Sequence, residues 1–151
     1  MRVVLQRVAR ASVTVHGERV SQIGPGYLLL VAAGADDREG EAERLAEKVF
    51  NLRVFPDAEG KMNLPLSEAE SGGGEILVVS QFTLYGDVRR GRRPSWIGAA
   101  PPEIAEERVE AFAAALEALG ARISRGVFRA DMKVELVNDG PVTLILDGER
   151  L

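Results

Sequence analysis

An aliphatic run at positions 76–79 gives a clear strand signal near the middle of the chain. Glycines at positions 72–74 precede the run, and Gly86 and Asp87 follow the polar residues after it. Unbroken β-branched and aliphatic residues are typical of a strand that is covered on both faces. The pattern therefore predicts a central strand over residues 75–87, with a polar second half.

The N-terminal third is predicted to consist of strands. Residues 2–9 and 11–15 are rich in Val and Leu, and polar and apolar positions alternate over 12–15, which predicts a hairpin. A further strand is predicted over residues 19–23. The apolar run 27–33 follows a Gly-Pro-Gly turn and predicts a buried strand. Together these segments predict a β-meander.

Two later segments have helical spacing. Asp36 and Glu39 fit a capping box, which predicts a first helix with Asp36 as its N-cap. The second helix is predicted to begin at residues 101–103, where two prolines precede an acid, and to end before Gly120. Apolar residues recur at helical spacing in both segments: Ala42, Leu45, Ala46, Val49 and Leu52 in the first, and Ile104, Val109, Phe112, Ala113, Leu116 and Leu119 in the second.

The remaining segments complete a β-rich chain. Residues 53–55 and 61–66 flank a turn whose Gly60 suits the left-handed position of a hairpin loop, and residues 67–74 form a polar loop. Further strands are predicted over 122–128, 132–137 and 142–146. The predicted fold class is α+β, with antiparallel or mixed sheets in a barrel-like arrangement and two amphipathic helices packed on the sheet.

Composition restricts the class of protein. A chain of 151 residues that is 46% hydrophobic fits a single domain over 1–151. It has no apolar run of transmembrane length and no signal-peptide pattern, so we expect a cytoplasmic protein without a membrane partner. The formal net charge of −4 argues against a protein coated in nucleic acid, although it permits a local basic patch.

Cysteine is absent and histidine occurs once, at position 16. The chain therefore has no disulfide, no thiolate zinc site and no cysteine nucleophile. His16 lies beside a turn glycine, and we interpret it as a surface residue. We expect neither a metal nor another cofactor.

The polar end of the central strand is the first candidate site. Ser80, Gln81 and Thr83 follow the buried run, where unpaired polar groups are costly. If the pleat continues, Gln81 and Thr83 share one face, and Ser80 and Phe82 share the other. Two interpretations remain: neighbouring backbone caps these groups, which is the commoner case, or a ligand binds them.

An arginine-rich segment follows this site. Most charged runs are solvated loops, and this is one interpretation of the segment. In an acidic protein, however, arginines beside an aromatic residue are also the composition that binds a phosphate backbone and stacks a base. The residues concerned are Arg89, Arg90, Arg92, Arg93, Pro94, Ser95 and Trp96.

Gly140 and Pro141 form the third candidate. The neighbouring Asp139-Gly140 pair is by itself an ordinary hairpin turn, which is the simplest interpretation. Proline removes a backbone donor, and the bond that precedes it can be cis. A rigid stretch of backbone at this position would be able to test the shape of a ligand without any side chain.

Three segments together resemble the D-aminoacyl-tRNA deacylase family. They are residues 80–84, 91–95 and 138–143, and the likeness extends to residues 6–8, 11–13, 57–63, 131 and 132. Tyr85, Gly86 and Trp96 depart from the small residues and phenylalanine that the family often has there.

The resemblance implies a homodimer with its active site at the subunit interface, and aminoacylated tRNA, not DNA, as the partner. It implies that Ser80, Gln81, Phe82 and Thr83 form the catalytic segment. It also implies that Gly140 and Pro141 form a Gly-cisPro motif, which enters the partner's pocket and rejects L-amino acids. The implied reaction is hydrolysis of the ester of D-aminoacyl-tRNA and of glycyl-tRNA.

Two mechanisms and one different function stay open. An aminoacyl ester is already activated, so main-chain donors and a positioned water suffice. We therefore prefer water attack assisted by the RNA 2′-hydroxyl, and place covalent catalysis by Thr83 second because no base lies nearby in the sequence. The different function is a non-catalytic RNA- or tRNA-binding module.

Overall fold

The computed structural model describes residues 1–69 and 73–150. Two helices and a six-stranded sheet form most of this part of the chain. In chain order the elements are β1 (Arg2–Val15), β2 (Glu18–Ile23), β3 (Gly26–Ala32), α1 (Glu41–Asn51), β4 (Phe55–Pro56), β5 (Met62–Leu64), β6 (Glu75–Ser80), α2 (Pro102–Ala118), β7 (Arg122–Arg125) and β8 (Met132–Asp147).

The long strand β1 organises the sheet. It pairs antiparallel with β2, β3 and β8, and β8 follows it along nearly its whole length. Beyond β3 the sheet continues through β6 to β7, and these two pairings are parallel. The sheet is therefore mixed and curls towards a barrel, which confirms the predicted α+β fold with two helices on the sheet.

Alternate residues of the central strands enter two different cores. Ile76 and Val78 of β6 face the helices and contact a large cluster that includes Leu45 and Phe112. Leu77 and Val79 point to the opposite face, towards β1 and β2. A strand that is buried on both faces needs apolar residues at every position, so the aliphatic run of β6 follows from its place in the sheet.

The strand pairing differs from the prediction in two places. Residues 2–15 form one continuous strand and not a hairpin, and the order β2-β1-β3 is not that of a meander. Residues 132–137 and 142–146 belong to one strand, β8, and both parts pair with β1 instead of with each other. The hairpin turn, which is the simplest interpretation of residues 139 and 140 taken alone, is therefore wrong.

The predicted capping box is also wrong. Helix α1 begins at Glu41, and its N-cap is Gly40 in the left-handed conformation, without a side-chain cap. The predicted hairpin at 53–66 is confirmed by β4 and β5, and so are the left-handed Gly60 and the start of α2. Residues 70–72 of the predicted loop lie outside the described residues. No helix in the described part of the chain is long and apolar enough to cross a membrane.

Candidate active site

A cavity of about 580 Å³ lies where β3 and β6 end, beside the first turn of α2. Its walls are mostly apolar and include Val31, Val79 and Ala105. Polar groups enter at Ser80, the last residue of β6, and at Gln81, which follows it. Ligand sites of this size typically combine an apolar wall with a few polar groups, so the arrangement suits a small organic group.

The chain leaves the sheet at the cavity. Strand β6 ends at Ser80, and Gln81 has φ −148° and ψ 74°. Phe82–Tyr85 then form one turn of 3-10 helix, so the prediction of a strand to residue 87 with alternating faces is wrong. Gln81 and Thr83 nevertheless meet, because the Gln81 Nε2 donates to Thr83 Oγ1 at 2.5 Å.

The backbone of this turn presents donors. The N–H of Gln81 donates to Val31 O at 2.8 Å, and that of Leu84 donates to Gln81 O at 3.1 Å. The N–H groups of Phe82 and Thr83 begin the helix, where no intrahelical acceptor is available to them. Two adjacent N–H groups at a helix start favour an oxygen that carries negative charge.

Buried polar groups fix the far end of the turn. The Tyr85 hydroxyl donates to Asp37 Oδ1 at 3.3 Å, and the Arg2 guanidinium lies 4.4 Å from the centre of the Tyr85 ring. The Asp37 side chain is only 3% exposed and also pairs with the Met1 ammonium at 2.6 Å. Burial and the Asp37 carboxylate raise the pKa of the Tyr85 hydroxyl, which therefore remains a donor at neutral pH.

An aromatic pair stands at the cavity. Phe82 and Trp96 meet edge to face with their ring centres 5.4 Å apart, and both rings remain partly exposed. A side chain at Gly86 would collide with the Trp96 ring, so the glycine permits this close approach. The pair offers an aromatic surface on which a planar group can stack.

The arginine segment leads directly to this pair. The backbones of Asp87 and Ser95 hydrogen-bond to each other at 2.8 and 2.9 Å, which closes residues 87–95 into a loop. Arg89 pairs with Asp87 at 2.7 Å and lowers the pKa of that carboxyl to about 2. The arginines at 89, 90, 92 and 93 are all exposed.

Residues 139–141 form a projection from β8, which we call the Gly-Pro knuckle. Gln6 lies opposite Thr143 and Val8 lies opposite Asn138, so four residues of β8 stand opposite Arg7 alone. Arg7 Nε binds the Asp139 carboxylate at 2.9 Å, and the Asn138 side chain donates to Arg7 O. The Gly140–Pro141 bond is cis, as expected from the sequence, and both residues are exposed.

The structure brings only some of the predicted residues together. Ser80, Gln81, Phe82 and Trp96 line the cavity, and Thr83 contacts Gln81. The four arginines and the Gly-Pro knuckle are not among the lining residues of their own chain. A single chain therefore presents a cavity and, separately, a projecting backbone element.

Comparisons with known proteins identify the family of the chain. The model of the D-Tyr-tRNA(Tyr) deacylase family matches residues 4–147. The chain belongs to this family. It is 57% identical over 150 residues to a D-aminoacyl-tRNA deacylase of Symbiobacterium thermophilum, covering 99% of this chain and 97% of the relative. It is 58% identical over 151 residues to the D-aminoacyl-tRNA deacylase of Thermomicrobium roseum, covering 100% of this chain and 96% of the relative.

Two solved structures have the same fold as this chain. One, described as the c-Myc DNA unwinding element binding protein, superposes with a TM-score of 0.88 at 42% identity and covers 97% of this chain and 98% of its own. The other, a probable eukaryotic D-amino acid tRNA deacylase, superposes with a TM-score of 0.78 at 16% identity, covering 96% and 97%, and shows the fold alone.

Several residues at this cavity were not predicted from the sequence. Phe128, Arg129 and Ala105 line the cavity but come from the turn after β7 and from α2. Asp37 holds the 3-10 turn at residues 82–85 through its contact with Tyr85, whereas its position in the sequence suggested only a helix start. Local patterns contain no signal for either role, because both depend on which elements the fold brings together.

Proposed function

We propose that this protein hydrolyses the ester of D-aminoacyl-tRNA and of glycyl-tRNA, and that it spares L-aminoacyl-tRNA. The observation that carries the proposal is the turn at residues 82–85, which places a pair of backbone donors and the Gln81–Thr83 contact beside an apolar cavity. The family names of the relatives supply the substrate class.

In the proposed mechanism the aminoacyl carbonyl lies over the start of the 3-10 turn. The N–H groups of Phe82 and Thr83 stabilise the negative charge that develops on its oxygen when water attacks. The carbon–oxygen bond to the ribose then breaks, and the proton from the water passes to the ribose oxygen through the neighbouring 2′-hydroxyl. Thr83 orients the substrate or the water and forms no acyl intermediate.

The cavity takes the adenosine end of the tRNA in this proposal. Its apolar lining and the Phe82–Trp96 pair suit a base, and the exposed arginines at 89, 90, 92 and 93 suit the phosphates that follow. Pro94 and Ser95 shape the loop, because the Ser95 backbone closes it against Asp87.

In this proposal a second copy of the chain distinguishes D- from L-aminoacyl groups. The Gly-Pro knuckle projects from β8 and is flanked by exposed apolar residues, with Leu144 36% and Ile145 79% exposed. Apolar residues on an exposed strand suit a homodimer contact. A dimer would let the knuckle of one subunit occupy the volume that an L-side chain needs in the other subunit's cavity.

A measurement of amino acid release separates this enzyme from a non-catalytic tRNA-binding module. Purified protein is incubated with D-tyrosyl-tRNA, and the freed tyrosine is followed against the spontaneous rate at the same pH. We expect release at least a thousandfold faster than the spontaneous rate. A protein that binds the tRNA but leaves the spontaneous rate unchanged is the binding module.

A further inference from the structure

We propose that Arg129 binds the phosphate of the terminal nucleotide at the rim of the cavity. The inference rests on the proposed function and adds a residue that the sequence analysis did not identify. Arg129 is the one cationic side chain among the described residues that line the cavity. The arginines at 89, 90, 92 and 93 lie in the neighbouring loop and do not line it.

The backbone at Arg129 is unusual. Ala130 N donates to Val127 O at 3.2 Å, so residues 127–130 form a turn, and Arg129 has φ 61° in its third position. Glycine is the residue that such a position favours, and a long side chain there is uncommon. An arginine in the left-handed conformation next to a cavity points to a role for its guanidinium.

The charge of Arg129 is available for a ligand. Its Nη1 lies 3.9 Å from Glu103 Oε1, and the two side chains are 66% and 80% exposed. An ion pair at this distance in solvent holds its partners weakly. Asp131, which follows the turn and also lines the cavity, is bound to Lys133 Nζ at 2.9 Å.

A phosphate group is the ligand that best fits an arginine at the rim of this cavity. The guanidinium offers paired N–H donors to phosphate oxygens, and a nucleotide whose base enters the apolar cavity carries its 5′-phosphate at the cavity rim. Arg129 therefore contributes to binding and does not touch the ester that reacts.

The test compares two substrates that differ by one phosphate. They are 3′-O-D-tyrosyl-adenosine and the same ester of adenosine 5′-monophosphate. Arg129→Asn removes the charge and keeps a residue that tolerates the left-handed conformation. We expect its KM for the phosphorylated ester and for D-tyrosyl-tRNA to rise about tenfold, as for the loss of one charge-assisted hydrogen bond. We expect kcat, and the KM for the adenosine ester, to stay unchanged.

Two further variants control the comparison. Arg129→Lys keeps the charge but lacks the paired donors, so it should recover part of the lost affinity. Arg10→Asn removes an exposed arginine that does not line the cavity and should leave both esters unaffected. Equal changes in KM for the two esters, or no change for either, would overturn the proposal.

A binding measurement separates this proposal from the proposed function. Trp96 is the only tryptophan and lines the cavity, so its fluorescence reports a ligand there. The wild-type protein should bind adenosine 5′-monophosphate more tightly than adenosine, and Arg129→Asn should bind the two equally. If the wild-type protein has no preference, Arg129 has no phosphate role, even when the protein is an active deacylase. If the preference holds but no ester is cleaved, only the proposed function fails.

Discussion

Two consecutive segments of the site are held in different ways. The 3-10 turn Phe82–Tyr85 is anchored by Tyr85 to Asp37, whose carboxylate is buried and also binds the Gly34 N–H at 2.7 Å. The arginine loop, residues 87–95, is closed by one backbone pair and by an ion pair between Asp87 and the largely exposed Arg89.

The difference matches the proposed tasks of the two segments. Stabilising a developing oxyanion requires donors that stay in place, because small displacements reduce the rate strongly. Binding a phosphate backbone is electrostatic and tolerates adjustment of the side chains. The comparison therefore predicts that changes at the turn affect stability and turnover, whereas changes in the loop affect tRNA affinity and its salt dependence.

The largest effect is expected for Asp37→Ala. It leaves the Met1 ammonium, the Gly34 N–H and the Tyr85 hydroxyl without their shared acceptor. Removing one partner of a buried charged network should lower the free energy of unfolding by about 3 kcal/mol. Urea denaturation measures the change. Asp36→Ala is the matched control. Asp36 is an exposed neighbour, so its replacement should lower the free energy of unfolding by less than about 0.5 kcal/mol. Equal losses in the two variants would show that Asp37 does not hold the turn.

The second prediction concerns the loop arginines. Replacing Arg89, Arg90, Arg92 and Arg93 together with alanine should weaken tRNA binding on the order of a hundredfold at low salt, and should make the slope of log K against log salt shallower by about 3. Stability should not change. Alanine at Arg10, Arg19, Arg38 and Arg44 alters the net charge equally and is the control. The loop is only a solvated segment if the control variant loses as much affinity.

Thr83→Ala tests the role of the hydroxyl that Gln81 contacts. Loss of an orienting hydroxyl should lower kcat about tenfold, whereas loss of a nucleophile should lower it by several orders of magnitude. Thr83→Ser retains the hydroxyl and should remain near wild type. Single-turnover kinetics measures the change, and an acyl-Thr83 species trapped for mass spectrometry would show covalent catalysis instead.

The smallest effect is expected for Asp87→Asn. This change removes the exposed partner of Arg89, so the midpoint of urea denaturation should not move. Releasing Arg89 should strengthen tRNA binding about twofold at low salt, and the gain should vanish at high salt. A clear loss of stability would mean that the ion pair holds the loop, contrary to the comparison.

The sequence predicted those features that local chemistry determines. The aliphatic run 76–79 required a strand covered on both faces, and β6 is such a strand. The proline pair before Glu103 placed the start of α2 correctly. These signals succeed because burial and backbone geometry restrict the residues at each position independently of distant neighbours.

The prediction failed where a distant partner decides the structure. Residues 139 and 140 have the composition of a hairpin turn, yet β1 pairs with both parts of β8, and Arg7 binds Asp139 at the base of the knuckle. Asp37 lies in a segment whose composition predicts a helix start, yet its side chain binds Tyr85 and the Met1 ammonium. Arg129 lines the cavity rim from a turn about 50 residues after Gln81 along the sequence.

The most direct test of the account compares three substrates with the same tRNA under single-turnover conditions. D-tyrosyl-tRNA, glycyl-tRNA and L-tyrosyl-tRNA are each incubated with excess protein, and release of the amino acid is corrected for the spontaneous rate. The account predicts fast release of D-tyrosine, measurable release of glycine and no release of L-tyrosine above the spontaneous rate. Release of L-tyrosine at a rate similar to that of D-tyrosine would contradict it.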